Sequence, residues 1–348
     1  MTTFPISGPL SLGDLLDRTF RLYRAHFGLF VRTAALFLVP MLVASGLLTG
    51  AASADSFALL AGMMTGDVST QPTSDTGTQG WVFLLSGLSM LVNGFVVLVL
   101  TRQSIDALHG EEQPIGQSLA TGWKRLWTYI RMLIWQGLVY FAVTAGLLLV
   151  LGILVFLIVA AATVVGLSLD LGSLLDFDSP AGIVAVIGAG ILVFCGYILA
   201  VILVMLPIIY YASRWIVAVP VLLDGEWRAR EALRRSWALT QGHIWRAVGY
   251  SVLLWLLSFL VVSLPVIVAQ MGTTALFLAD QMFLAVALST AVSAIFSILW
   301  VPFNSSALVL LYYDLRVRKE SYDLDLRIDQ MAAALDEESA ETETGSQG

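Results

Sequence analysis

The sequence predicts an all-α integral membrane protein: six transmembrane helices, arranged as three repeats of a charged amphipathic surface helix followed by a helical hairpin. Three observations carry this. Of 348 residues, 58% are apolar and 12% charged, with a mean hydropathy of +0.86; a soluble domain carries about 25% charged residues. Apolar runs recur at the length that crosses a bilayer, about 20 residues. All 18 basic residues fall on one side of those runs.

Taken in order, residues 1–28 hold the first amphipathic segment and are not read as a cleavable signal peptide, and the run Leu29 to Leu48 follows. It exceeds the roughly 7–15 residues of a signal-peptide core and reads as the first span, with Pro40 as a kink. Residues 50–80 are small and polar and read as a partly disordered loop. The second span is Trp81 to Leu100. Arg102 to Ile130 holds the second surface helix. The third span runs from Arg131 to about Leu169 and the fourth from Ala181 to about Ala212. Both exceed what a bilayer needs, so each must tilt, protrude or break. Arg214 to Gly249 holds the third surface helix. The fifth span runs from Tyr250 to Gln270 with Pro265 inside, and the sixth from Met282 to about Tyr312 with Pro302. The residues from Asp314 read as a polar, acidic tail. The domain boundary is placed at 320, with 321–348 largely disordered.

The three surface helices align without gaps from Gly13, Gly116 and Arg230, giving repeats of about 10–100, 103–213 and 214–313. Leu16, Leu119 and Leu233 share a column, then Phe20, Trp123 and Trp237, then Phe27, Ile130 and Ile244. Spacings of four and seven keep these on one helical face. That face is expected to turn toward the spans. The opposite face is charged, which suits a membrane surface. Copies two and three also share the lead-ins Leu108-His109-Gly110-Glu111 and Leu223-Asp224-Gly225-Glu226, read as turns in which Gly is favoured.

The loops at 50–80, 166–180 and 271–281 contain no Lys or Arg. They hold Asp55, Asp67, Asp75, Asp170, Asp176, Asp178 and Asp280, so the net charge of −7 lies on their side. Basic residues mark the cytoplasmic side. Both termini are therefore expected in the cytoplasm, and the chain in a bacterial cytoplasmic membrane.

Three stretches resemble a large bacterial family of multi-pass proteins, similar to the membrane domain fused to glycerophosphoryl diester phosphodiesterases. They are Leu12 to Tyr23, Glu231 to Gly242, and Leu311 to Glu320 with Tyr322-Asp323-Leu324. The resemblance implies a multi-pass helical fold. It carries over no catalytic residue, because the fused enzymes act through a separate soluble domain and no polar stretch here is long enough to be one.

No catalytic constellation stands out. The spans hold essentially no ionisable residue, which argues against an ion-coupled pump. His26 and His243 share a repeat column where copy two has Tyr129, but no third His joins them and no metal-binding spacing is present. They read as interfacial anchors, and His109 as solvated. Cys195 reads as a small hydrophobe. Ser289, Ser293 and Ser297 form a polar stripe on span six, either a helix-packing surface or the wall of a polar groove. Arg228, Arg230, Arg234, Arg235 and Trp237, with Lys124 and Arg125, are candidate contacts for lipid headgroups. In this reading Glu231 pairs with Arg235 one helical turn on. No cofactor and no metal is expected. The expected partners are membrane lipids, anionic ones among them, and an unidentified membrane protein, but no nucleic acid. A non-enzymatic scaffold or lipid-interacting protein fits best. A transporter or flippase of lipids and a membrane-embedded enzyme of lipid metabolism are the alternatives.

Overall fold

A computed structural model of the chain describes residues 10–65, 76–110, 114–169, 180–225, 227–278 and 281–320. The elements are helices α1 (Leu12–Ala25), α2 (Phe27–Thr65), α3 (Thr76–Leu108), α4 (Ile115–Leu169), α5 (Pro180–Arg214), α6 (Ala218–Asp224), α7 (Ala229–Thr240) and α8 (Ile244–Ser258). A π turn follows at Phe259–Ser263, then α9 (Leu264–Leu278) and α10 (Met282–Glu320). The described residues contain no strand, and six of their helical segments are long and apolar enough to cross a membrane. The all-α, six-span expectation holds.

The helices are longer than the spans read from hydropathy. Residues 50–65 and 76–80 are helical rather than loop. Ala, Leu and Met are strong helix formers, and extending a formed helix avoids the cost of nucleation. Residues 66–75 and 170–179 and the tail 321–348 lie outside the described residues. Helix α9 likewise runs to Leu278, into the expected loop at 271–281. Pro265 is accommodated by the π turn. It has no N–H and its ring crowds the carbonyl four residues back. The ladder widens there, and the Leu264 N–H reaches five residues back to the Phe259 carbonyl.

The chain forms two compact units. In the second, Arg131–Trp215, α4 and α5 show no break within the described residues. Their surfaces are apolar and exposed at Leu149, Phe156, Phe194 and Leu206, as lipid-facing helices are. Trp215 joins them, edge-on to Tyr140 at 5.6 Å and tilted against Tyr211 at 5.4 Å.

The first unit, residues 1–130 and 216–348, contains the real core. Burial divides each of its long helices in two. In α10, Leu288 and Ile295 are exposed, whereas Ala307, Val309, Leu310, Leu311, Tyr312 and Leu315 are buried. In α3, Met90 and Leu91 are exposed, whereas Val96 and Leu98 to Leu100 have no exposed surface. The 39 residues of α10 make a rod of about 58 Å, and the bilayer core takes only about 30 Å of it. Counted from Met282, the crossing ends near Trp300 and Phe303. The buried part beyond is a helical layer continuous with the spans.

Helix α1 belongs to this layer. Its start meets α10 at Asp314, where the Leu10 N–H donates to the carboxylate at 2.9 Å. Its end meets α10 at Leu299, whose carbonyl accepts from the Tyr23 hydroxyl at 3.0 Å. Phe20 and Phe303 touch between them, ring centroids 4.8 Å apart. Helix α1 therefore runs antiparallel along α10. Its N-terminus is capped reciprocally by Ser11 and Asp14. The buried stripe is Leu15, Thr19 and Leu22, one residue round from the Leu16 face expected from the alignment. In the aligned positions Ser118, Ala232, Gly122 and Ser236 are also buried. Of the expected column Leu233 is buried while Leu16 and Leu119 are half-buried, and Phe20 and Trp123 are exposed. The small residues face the packed layer and the large aromatics face out.

Candidate functional site

The described residues with the richest chemistry are a set of charges knotted into this layer. Asp314 lies on the buried face of α10 with none of its side chain exposed. Its carboxylate accepts from Arg246 Nε at 2.7 Å, Arg318 Nε at 3.1 Å and the Leu10 N–H at 2.9 Å. Both guanidiniums also donate to the Leu10 carbonyl, Arg318 at 2.7 Å. Burying one carboxylate costs several kcal/mol unless its lone pairs are met (roughly 3–5 kcal/mol if a partner is removed). Here two cations and an amide meet them, and the backbone at Leu10 is clamped at both polar atoms.

A second carboxylate repeats the device. Asp224, at the end of α6, accepts from the hydroxyls of Tyr312 and Tyr313, each at 2.7 Å, and from Arg316 at 2.8 Å. A third, Asp106 on α3, is 4% exposed and pairs with Arg102 at 2.8 Å. Arg102 also donates to the Leu223 carbonyl at 3.4 Å. Thr19 and Tyr250 share a hydrogen bond of 3.3 Å between α1 and α8. Where α1 leaves the layer, burial pushes the Tyr23 phenol up to about 12.

This overturns the expectation that the residues from Asp314 form a polar tail: Asp314 to Glu320 are helical and form the hub. The signal was present. Leu311, Leu315 and the i,i+4 pairs Asp314/Arg318 and Arg316/Glu320 continue a helix past the hydropathy boundary. Hydropathy alone hides it, because charges buried in pairs score as surface.

The basic candidates on α7 divide. Arg235 donates to both oxygens of Glu320 at 2.9 Å and lies over the Trp227 ring at 4.9 Å. Its expected partner Glu231 instead caps α7, accepting from the Arg228 N–H at 3.0 Å. The Glu231–Arg235 pair is thus corrected, because the long-range carboxylate and the stacked ring compete better than one exposed neighbour. Arg228, Arg230 and Arg234 are exposed and Trp237 is half-buried. Gly225 also differs from its reading as a turn glycine. Its backbone is extended, and a Cβ there would meet the Trp227 indole at 2.3 Å. Gly110, at φ 75°, is the turn glycine.

Helix α7 is held at the far end of α10, by Arg235 to Glu320 and by Lys319 to the Gln241 carbonyl at 3.0 Å. At 1.5 Å per residue, that end lies about 25 Å past Phe303. Lys124 and Arg125 lie elsewhere, beside the exposed Trp123 and Trp127 on α4. Trp123 packs edge-on against Phe95 at 6.2 Å, and Phe95 against Phe37 at 5.4 Å. This is the level at which α3 begins to be buried.

The serine stripe closes on its own helix. Ser289 donates to the Val286 carbonyl at 3.0 Å and Ser293 to the Ser289 carbonyl at 2.9 Å. The groove beside them is apolar, about 170 Å³, and lined from α2 and α10 by Val39, Val43, Gly46, Val286 and Thr290. Ser297 does not line it. His109 is exposed as expected, with an edge contact to Tyr313 at 5.7 Å. Cys195 is exposed on α5, and the described residues hold no cluster of metal-binding side chains.

Contacts within the layer draw on all three stretches on which the family resemblance was read. Thr19 and Tyr23 come from the opening stretch, Arg235 and Gln241 from the second, and Tyr312 to Glu320 from the third. No curated protein and no solved structure matches the chain. Residues 180–335 match the family described as the membrane domain of glycerophosphoryl diester phosphodiesterase, so the resemblance read from the sequence holds over this part of an integral membrane protein.

Proposed function

We propose that the protein is a lipid-interacting membrane scaffold without catalytic activity. The spans anchor a rigid helical layer on the cytoplasmic side, where both termini lie. The observation that supports this best is the buried knot of Asp314, Arg246, Arg318 and Leu10, which ties the start of α1, α8 and α10 into one body. Its polar capacity is spent on holding the layer together.

The layer offers two basic surfaces at different depths. Lys124 and Arg125 sit beside exposed Trp123 and Trp127, where aromatic rings favour the headgroup level. Acidic headgroups attract such residues by about 1 kcal/mol each. Arg228, Arg230 and Arg234 lie about 25 Å beyond that level, and screening limits attraction to about 10 Å in ordinary salt. Their surface suits an acidic region of a partner protein rather than the bilayer.

We read the three surface helices as true repeats. Copies one and three break at the same aligned position with the same backbone: His26 at φ −114°, ψ 22° and His243 at φ −123°, ψ 26°. Copy two has Tyr129 there and continues as one helix.

Native mass spectrometry of gently extracted protein tests the lipid reading. Replacing Lys124 and Arg125 with Gln should reduce retained acidic lipid, while replacing Arg228, Arg230 and Arg234 should leave it unchanged. The reverse pattern refutes the assignment of the two surfaces, and no change in either variant refutes lipid interaction through these residues.

A further inference from the structure

We propose that a groove between the α1–α2 junction, the π turn and α10 binds one anionic phospholipid, with an acyl chain in the groove and the headgroup phosphate on Arg24. The groove measures about 240 Å³. Phe20, Tyr23 and Phe27 form one wall, Trp300 and Phe303 a second, and Val261 of the π turn a third. The only hydroxyl among these side chains, on Tyr23, already donates to the Leu299 carbonyl. Apart from the Trp300 indole N–H the remaining lining is hydrocarbon and suits an acyl chain.

Polarity along the groove selects the kind of ligand. Val261 and Trp300 belong to spanning segments, whereas α1 lies outside them. Arg24 is exposed on α1. It sits four residues after Phe20 on the same helix, so it shares that face. The neighbouring Arg21 is already paired with Asp17. A ligand here meets an aromatic, apolar trough and, one helical turn on from Phe20, an exposed cation beside it. A phospholipid with net negative charge combines those two groups. The π turn that admits Pro265 also sets the position of Val261, and π turns often mark functional sites.

This inference deepens the lipid reading above, and its test separates the two. The full chain in neutral detergent is titrated with dioctanoyl phosphatidylglycerol, dioctanoyl phosphatidylcholine or inorganic phosphate, and bound species are counted by native mass spectrometry. One phosphatidylglycerol per chain should bind in preference to phosphatidylcholine, and phosphate alone should not compete. Arg24→Gln should weaken phosphatidylglycerol about five-fold, the effect of one interfacial cation, without changing phosphatidylcholine. Val261→Trp should fill the groove and remove the single lipid; Val261→Leu, a milder change, should weaken it if the Trp variant does not fold. Equal binding of the two lipids with no effect of Arg24→Gln overturns the headgroup contact, and unaltered binding in the Val261 variants overturns the groove. In the Lys124/Arg125 double Gln variant the single lipid should persist. Its persistence while general acidic-lipid retention proves insensitive to that variant would refute only the broader reading, and its absence from the unaltered protein would refute only this one.

Discussion

Replacing Asp314 with Asn is the sharpest test of the buried knot. The side chain keeps its shape and keeps an oxygen for the Leu10 N–H. It loses the charge that faces Arg246 at 2.7 Å and Arg318 at 3.1 Å, and its new amide hydrogens point at guanidinium donors. Removing one member of a buried ion pair costs about 3–5 kcal/mol. Arg246 and Arg318 keep 17% and 23% exposure, so water partly resolvates them, and about 3 kcal/mol is the better expectation.

The loss should be local, because the knot clamps the start of α1. Amide exchange over Leu10 to Leu22, measured in detergent micelles, reports that opening directly. A cost of about 3 kcal/mol corresponds to exchange more than a hundred-fold faster. Exchange in α9 should stay unchanged. If exchange at Leu10 to Leu15 stays within about three-fold of the unaltered protein, which is under 1 kcal/mol, the knot is not what holds α1.

Three further outcomes follow from particular contacts. Gly46→Ala places a Cβ 2.6 Å from the Thr290 methyl, an overpacking that costs about 1–3 kcal/mol; thermal melts should show the loss, and Thr290→Ala should largely relieve it. The Asp14 carboxyl is held below its usual 3.8 by the Ser11 hydroxyl and then by the Ser11 N–H. Its capping contribution is therefore fully present above the unfolded value and is lost as pH falls through the depressed one. An NMR titration should find the midpoint below 3.8, and Ser11→Ala should move it upward. Topology reporters fused at residue 175 should read outside, and at residues 228 and 340 inside; an outside reading at 228 with 340 inside breaks the six-span arrangement.

How much of this was legible depends on what each residue reports. The six spans were readable because a bilayer demands long apolar helices and little else. The layer was not, because hydropathy sees Asp314, Arg316 and Arg318 as polar and ends the helix before them. Only pairing reveals that they are buried, and the partners lie 304 residues away at Leu10, 68 at Arg246 and 92 at Asp224. The i,i+4 spacing of Asp314 and Arg318 pointed to a helix but not to Arg246. The alignment of the surface helices found the columns but turned them by one residue, because it weighted Leu16 and Phe20 as core. Close packing instead selected small residues, Thr19 and Ser236 in the layer and Gly122 against Val99 and Phe95 of α3, which carry little hydrophobic signal. The basic residues of α7 show the same limit from the other side. Their spacing marks a charged face, but the depth of that face is set by Arg235 finding Glu320, a contact 85 residues away. Depth bears on the proposed choice between a lipid and a protein partner, and a local charge pattern carries no depth.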